Sequence, residues 1–264
     1  MSGWIDYHEA FEGGAERVVG TVKVLRDVSS PELGNARDIL VYLPPTYDAA
    51  NRTYPTLYMH DGQNLFDEAT SFAGEWKVDE TLESLAAEGI EAIVVGIPNA
   101  GRARMGEYSP FRDHRLGGGR ADEYLKFVVE TVKPLVDETF RTTGEREATG
   151  TIGSSMGGLI SLYALFERPD IFGLAGAVSP SVGFARHAPL DYLETVKFVG
   201  GKVYLDVGTK EGIPVRAVRE ARDLLVRRGY KLGEDLLYVE DEGGGHNEAA
   251  WAARLPSALR FLLG

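Results

Sequence analysis

From residue 56 to residue 240 the chain repeats one local pattern: a β-prone run of five or six residues, then a stretch with helical periodicity. The runs fall at 56–60, 92–97, 147–152, 174–178, 203–207 and 236–240. Neighbouring parallel strands need a crossover of a dozen or more residues, and the helical stretches supply one each time, so the pattern predicts a mainly parallel sheet. Two earlier runs, 18–26 with alternating polarity and 39–43, are joined through the turn-rich stretch 29–35. That link is too short for a crossover and predicts an antiparallel start. The expected architecture is α/β, with about eight strands and helices on both faces.

The helices are read from their apolar stripes. The stretch 76–87 places Val78, Leu82 and Leu85 on one face, and 124–140 does the same with Phe127, Val128, Val132, Leu135 and Val136, with a kink expected at Pro134. Pro214 opens a helix carrying Val218, Ala221 and Leu225, and 249–263 closes the chain. No repeat or linker interrupts the pattern, and Gly117, Gly118 and Gly119 form a loop too short to hinge two domains. With 264 residues, 44% of them hydrophobic, a single domain spanning 1–264 is expected.

Charge and composition exclude several classes. There are 28 Lys plus Arg against 40 Asp plus Glu, a formal charge of -12 with no basic run, which argues against nucleic acid as a partner. Cysteine is absent, so disulfides, thiolate nucleophiles and cysteine metal sites are excluded together. Residues 1–14 carry Asp6, His8 and Glu9 where a secretory signal has a basic start and an apolar stretch, and no apolar run approaches 18 residues. A cytoplasmic protein without membrane attachment is the expectation.

The strongest chemical signal is Gly153-Ser154-Ser155-Met156-Gly157, a G-x-S-x-G between the run ending at Ile152 and an apolar helix containing Leu159, Leu162 and Phe166. In a chain with 32 glycines the pentapeptide alone is also what a serine-capped glycine turn looks like. A strand before it and a helix after it distinguish a nucleophile. A tight strand-to-helix turn presents the serine hydroxyl at the strand's C-terminal end, and the helix N-terminus faces any developing oxyanion.

A serine nucleophile needs a base, and in this fold the order is Ser, acid, His. His187 and His246 lie after Ser155. His246 follows the last run through Gly243, Gly244 and Gly245, where a loop can fold back over the strand ends, and is the expected base; His187 comes too early in that order. The acid belongs on the loop after 203–207, where Glu211 competes with Asp206, a residue inside the strand. A loop carboxylate can turn toward the histidine, which favours Glu211 without excluding Asp206. Oxyanion amides are expected from Met156 and from Gln63, in the loop His60-Asp61-Gly62-Gln63-Asn64, with Gly62 allowing an unusual backbone just before Gln63. His60 is expected to be structural.

Together, Val41-Tyr42-Leu43-Pro44-Pro45, His60-Asp61-Gly62, Glu107-Tyr108-Ser109-Pro110, the elbow at 153–158 and Gly208 to Glu211 resemble the putative esterase family, with its esterase D, feruloyl esterase, enterobactin esterase and mycolyltransferase branches. The resemblance runs from about Asp38 to the C-terminus. It implies an α/β-hydrolase fold without a large lid domain, the triad Ser155, Glu211 and His246, and oxyanion amides at Gln63 and Met156. It also favours Glu211 over Asp206, since relatives place their acid three residues after the glycine that ends this strand. The S-formylglutathione hydrolase branch usually has histidine before its nucleophile, where this chain has Ser154, so that substrate is not carried over. Gly96-Ile97-Pro98-Asn99 with Arg104, Glu107 and Tyr108 is closer to the enterobactin esterase-like branch.

Trp76, Arg104, Glu107 and Tyr108 are the candidate substrate-binding residues; Arg104 is expected either to hold an acidic part of the substrate or, in preference, to pair with Glu107. The expected activity is hydrolysis of a small-molecule carboxylic ester through an acyl-enzyme, the ester being phenolic or feruloyl, an acetylated sugar as in carbohydrate esterases, or of siderophore type. Transfer to another acceptor and a non-catalytic binding module on the same fold are the alternatives. No H-E-x-x-H or D-x-D-x-D-G spacing occurs, so neither a metal nor any other cofactor is expected. The sequence leaves the oligomeric state open, a homo-oligomer included.

Overall fold

A computed structural model describes residues 3–11 and 18–264; the N-terminal reading at 1–14 falls in part outside them. Among the described residues nine strands form one sheet: β1 (Trp4–Asp6), β2 (Thr21–Ser30), β3 (Asn35–Leu43), β4 (Thr56–His60), β5 (Ile93–Ile97), β6 (Thr149–Ser154), β7 (Leu174–Val178), β8 (Lys202–Gly208) and β9 (Leu236–Asp241), in the order β1-β2-β3-β5-β4-β6-β7-β8-β9. The pairs β1–β2, β2–β3 and β3–β5 are antiparallel, and every pair from β5 through β4 to β9 is parallel. The strand beyond the expected eight is β1, which is only three residues long and has no alternation to announce it. The expected turn at 29–35 is narrower in the structure: β2 runs to Ser30 and β3 starts at Asn35, the reversal closed by a Gly34 N–H to Ser30 carbonyl bond of 2.8 Å.

The sheet is buried on both faces, which is why its central strands read as unbroken apolar runs rather than alternating ones. Val41, Tyr58 and Val95 pack on one side with Phe127, Val128 and Leu159. Their neighbours Tyr42, Leu57, Met59 and Val94 pack on the other with Leu82, Leu85, Leu255 and Leu259. The helices Val78–Ala86 and Glu248–Leu263 thus share one face. The helix Met156–Glu167 and the long helical stretch beginning at Ala121 cover the opposite one. Around β7 and β8 a third cluster joins Leu205 and Val207 to Val218 and Leu225 of the helix Ile213–Arg228.

The expected kink at Pro134 takes a different form. The helix runs Ala121–Lys126, widens to a π-helical segment at Phe127–Val132, and resumes as Lys133–Thr139. Proline has no N–H to donate and its ring crowds the preceding turn, and the wider turn accommodates both without breaking the helix. Among the described residues no helix is long and apolar enough to cross a membrane.

Because β4 to β9 are parallel, their C-terminal ends lie along one edge of the sheet. The loops that leave β4, β5, β6, β7, β8 and β9 there carry Gln63, Asn99, Ser155, Ser179, Glu211 and His246.

Candidate active site

Ser155 sits between β6 and the helix Met156–Glu167 with φ 55° and ψ -116°, a strained conformation for a residue with a side chain. Three backbone hydrogen bonds hold it there: its N–H donates to the Val178 carbonyl at 2.9 Å, and its carbonyl accepts from the Ser181 N–H at 2.9 Å and the Leu159 N–H at 3.1 Å. The flanking glycines are a matter of space. A Cβ on Gly153 would lie 2.7 Å from the carbonyl carbon of Gly157, so the two arms of the elbow touch backbone to backbone. The hydroxyl of Ser155 is hydrogen-bonded to that of Ser181 at 3.0 Å, a partner that nothing in the sequence pointed to.

His246 and Glu211 meet at 2.8 Å, Nδ1 to Oε2. The turn after β8 and the glycine loop after β9 are laced together: Lys210 N–H donates to the Gly244 carbonyl at 3.0 Å, and Gly243 N–H to the Thr209 hydroxyl at 2.8 Å. A Cβ on Gly208 would come within 2.3 Å of the Gly244 carbonyl oxygen, so this approach needs glycine. The other oxygen of Glu211, Oε1, accepts from the Gly208 N–H at 2.8 Å and from the Ser179 hydroxyl at 2.5 Å. Burial pushes the Glu211 carboxyl up, but the bonds from His246, Ser179 and Gly208 outweigh it and hold the carboxyl below its ordinary range.

Ser179, at φ 42°, is the junction of the site. Its hydroxyl also accepts from Trp251 Nε1 at 3.2 Å and from Arg254 Nη2 at 2.7 Å. Two residues along the chain, Ser181 touches Ser155, so the His246–Glu211 pair and Ser155 are anchored to the same short segment. In the structure the hydroxyl of Ser155 points to Ser181 and His246 is engaged by Glu211; a Ser155–His246 hydrogen bond is not among the contacts made. Catalytic hydrogen bonds are often long or misaligned before substrate binds.

Asp206, the competing acid, faces elsewhere. It is fully buried, accepts from the Ser179 N–H at 2.8 Å and from the Tyr204 hydroxyl at 2.9 Å, and pairs with Arg254 at 2.9 Å. Burial pushes its carboxyl up to about 6 against the pull of Arg254.

The loop after β4 takes its unusual backbone at Asp61, not at Gly62. Asp61 is left-handed at φ 57°, and Gly62 is required because a Cβ there would lie 2.6 Å from Gly96 C and Ile97 N. Asp61 is clamped from three sides: bidentately by Arg104 at 2.7 and 2.8 Å, by Asn99 Nδ2 at 2.7 Å, and through its own N–H to the Tyr108 hydroxyl at 3.1 Å. The expected Arg104–Glu107 pair is therefore replaced by Arg104–Asp61, while Glu107 pairs with Arg37 at 2.9 Å. Gln63 follows in the short turn Gly62–Asn64, its side-chain oxygen accepting from the Asn99 N–H at 3.1 Å. His60 is buried, bonded through Nδ1 to Tyr124 at 2.8 Å, and pushed down to about 4 by that burial, which keeps it neutral.

Of the four candidate substrate contacts, Arg104 alone lines the cleft above Ser155. Glu107 and Tyr108 are completely buried behind it. Trp76 is buried too, its ring 5.9 Å from Trp251, which in turn stands edge-on to His246 at 5.0 Å; it supports the histidine loop from below. The cleft measures about 860 Å³ and is walled by Met105, Leu116, Phe184 and Ile213 with Arg216 and His187 among them. Such a volume admits a substantial organic ligand.

A serine held in a strand-to-helix elbow at the centre of a mainly parallel sheet, with an acid and a histidine on later strand ends, defines an α/β-hydrolase-like esterase. The chain belongs to the "Putative esterase" family, whose model matches residues 30–262, and it is a carboxylic ester hydrolase. It is 27% identical over 251 residues to YbbA of Bacillus subtilis, covering 90% of this chain and 96% of that one. To the siderophore enterobactin esterase of Emericella nidulans it is 28% identical over 206 residues, 69% of this chain and 66% of that one. The enterobactin esterase FES of Shigella flexneri superposes with a TM-score of 0.74 at 21% identity, over 95% of this chain and 61% of that one.

Proposed function

We propose that this chain is a serine esterase in which Ser155 is the nucleophile, His246 the general base and acid, and Glu211 the carboxylate that orients His246, and that its substrate is a siderophore-type ester. The observation that carries the reading is the 2.8 Å His246–Glu211 pair, braced through Ser179 against the segment that holds Ser155.

With an ester in the cleft, the Ser155 hydroxyl leaves Ser181 for Nε2 of His246, which takes its proton as the oxygen attacks the carbonyl carbon. Nδ1 keeps its proton and donates it in a hydrogen bond to the Glu211 carboxylate, which fixes the tautomer and stabilises the imidazolium. The amides of Met156 and Gln63 receive the tetrahedral oxyanion, and one such donor is worth about 3–4 kcal/mol. Collapse expels the alkoxide, protonated by His246, and leaves an acyl-Ser155. Water then repeats the sequence, and the carboxylic acid departs. The substrate class is supported by the relative that hydrolyses a siderophore, and by a cleft whose apolar walls beside Arg216 and His187 suit an acyl group bearing both rings and polar atoms.

The test is an organophosphate label located by mass spectrometry, with Ser155→Ala assayed on a panel of esters. The label is expected on Ser155, and the variant is expected to lose about five to six orders of magnitude in kcat. Siderophore esters are expected to exceed feruloyl and short acetate esters in kcat/KM. Full turnover by Ser155→Ala would end the triad assignment, and a preference for feruloyl esters would end the substrate assignment.

A further inference from the structure

A second cluster of acids flanks Trp76 in the sequence, with Glu75 before it and Asp79 and Glu80 in the first turn of the helix Val78–Ala86. Glu75, Asp79 and Glu80 each place a carboxylate oxygen within 4.8 Å of those of the other two. Lys77, left-handed at φ 55°, bends the chain so that Glu75 returns over the first turn of the helix Val78–Ala86, which carries Asp79 and Glu80. Asp79 is fully buried: its Oδ2 accepts the Val19 N–H at 2.8 Å, and its Oδ1 has no partner among the described residues. Among the described residues Oε1 of Glu75, which is 9% exposed, has no partner, and neither has the buried Oε2 of Glu80.

Three carboxylates with an unsatisfied buried oxygen apiece are an arrangement that a protein interior tolerates only when something neutralises it. A proton or a cation can do so. Access from solvent exists: Glu75 and Glu80 line an open cleft of about 820 Å³ together with Glu68 and Asn247.

We propose that Glu75, Asp79 and Glu80 bind a divalent cation, Ca²⁺ in preference to Mg²⁺. The donors are all carboxylate oxygens, which suit a hard cation and not zinc or copper. Ca²⁺ takes oxygens at about 2.3–2.6 Å in a flexible sphere, and carboxylate oxygens within 4.8 Å of one another are near enough to share one such ion. Mg²⁺ demands near-ideal octahedral geometry at about 2.0–2.1 Å and keeps several of its waters, so a set of three protein carboxylates suits it less. Water entering from the cleft fills the remaining positions. The ion would fasten Glu75 to the helix start, and Trp76 between them carries the constraint to Trp251 and so to His246.

The wild-type chain is treated with chelator, and Tb³⁺ is titrated in while tryptophan is excited. Energy transfer from Trp76 to a bound Tb³⁺ is expected to give saturable emission that Ca²⁺ displaces and Mg²⁺ displaces far less well. In parallel Ca²⁺ is expected to raise Tm by about 5 °C or more at a hundred-fold excess over Kd. Glu80→Gln and Glu75→Gln are each expected to remove the Ca²⁺-dependent rise. Both readouts are independent of catalysis, so they stand or fall separately from the triad. No Tb³⁺ emission and no Tm shift with Ca²⁺ up to about 10 mM, above the weakest calcium modules, would overturn the proposal and leave a proton-sharing carboxyl cluster. Equal displacement by Mg²⁺ would overturn the preference for Ca²⁺.

Discussion

Two carboxylates leave β8 within five residues of each other, and their surroundings divide the work between them. Glu211 is held ionised by three donors; Asp206 is walled in and faces Arg254. Glu211→Gln is expected to lower kcat by about 10⁴-fold, since an amide favours the wrong imidazole tautomer, with little change in KM on an activated ester. Its stability effect has a defined pH course. The folded carboxyl holds its proton less tightly than the unfolded one, whose ordinary value is 4.5, so its contribution is complete above that pH and fades as pH falls below it. The Tm gap between wild type and Glu211→Gln is therefore expected to be constant from pH 8 to about 5 and to close on further acidification, as differential scanning calorimetry would register. A gap that widened in acid would place the carboxylate's partners elsewhere.

The loop after β4 makes the same point for a whole element, because its geometry comes from what packs behind it. Arg104 touches both the cleft and Asp61, and steady-state kinetics separate the two roles. If the clamp on Asp61 positions the Gln63 amide, Arg104→Ala lowers kcat by about 10²-fold with KM nearly unchanged; an anchor for substrate charge would raise KM instead. Gly62→Ala, which pushes a methyl into Gly96 and Ile97, is expected to cost about 1–3 kcal/mol in a thermal melt and a similar drop in kcat. Strands such as 56–60 and 174–178 were legible to the residue, since burial on both faces makes them continuous apolar runs. The elbow serine and the glycine-borne histidine were legible as positions, because strand ends and chain order constrain them. Ser179, Ser181, Trp251 and Arg254 were not. Their roles arise from contacts between residues up to 75 apart, and no local period or spacing encodes these. Arg104 misled for the same reason: a sequence neighbour, Glu107, looked nearer than Asp61, which is 43 residues away.

At the scale of the whole molecule, Arg254 joins the last helix to the three strand ends that carry the site. It reaches Asp206 at 2.9 Å, Asp241 at 3.2 Å and the Ser179 hydroxyl at 2.7 Å from a buried position. Removing it leaves buried carboxylates facing one another, and breaking a buried pair in this way costs about 3–5 kcal/mol. In a chain of this size that corresponds to a fall of about 6–20 °C in Tm. The deficit should also depend on pH. Asp206 titrates near 6 in the folded protein, above its ordinary 3.8, so its ionisation lowers stability as pH rises through that range and adds nothing further once it is charged. Arg254 is the cation that pulls the value down. Without it the folded carboxyl holds its proton to higher pH, and the loss continues beyond 6 where the wild type has levelled off. Arg254→Ala should therefore trail the wild type by more at pH 8 than at pH 5.5, and Asp206→Asn in the same chain should flatten that difference. Melts of the two variants and the double variant across this range measure the coupling directly, and a deficit independent of pH would mean that Arg254 acts through packing and its bond to Ser179 instead of through Asp206.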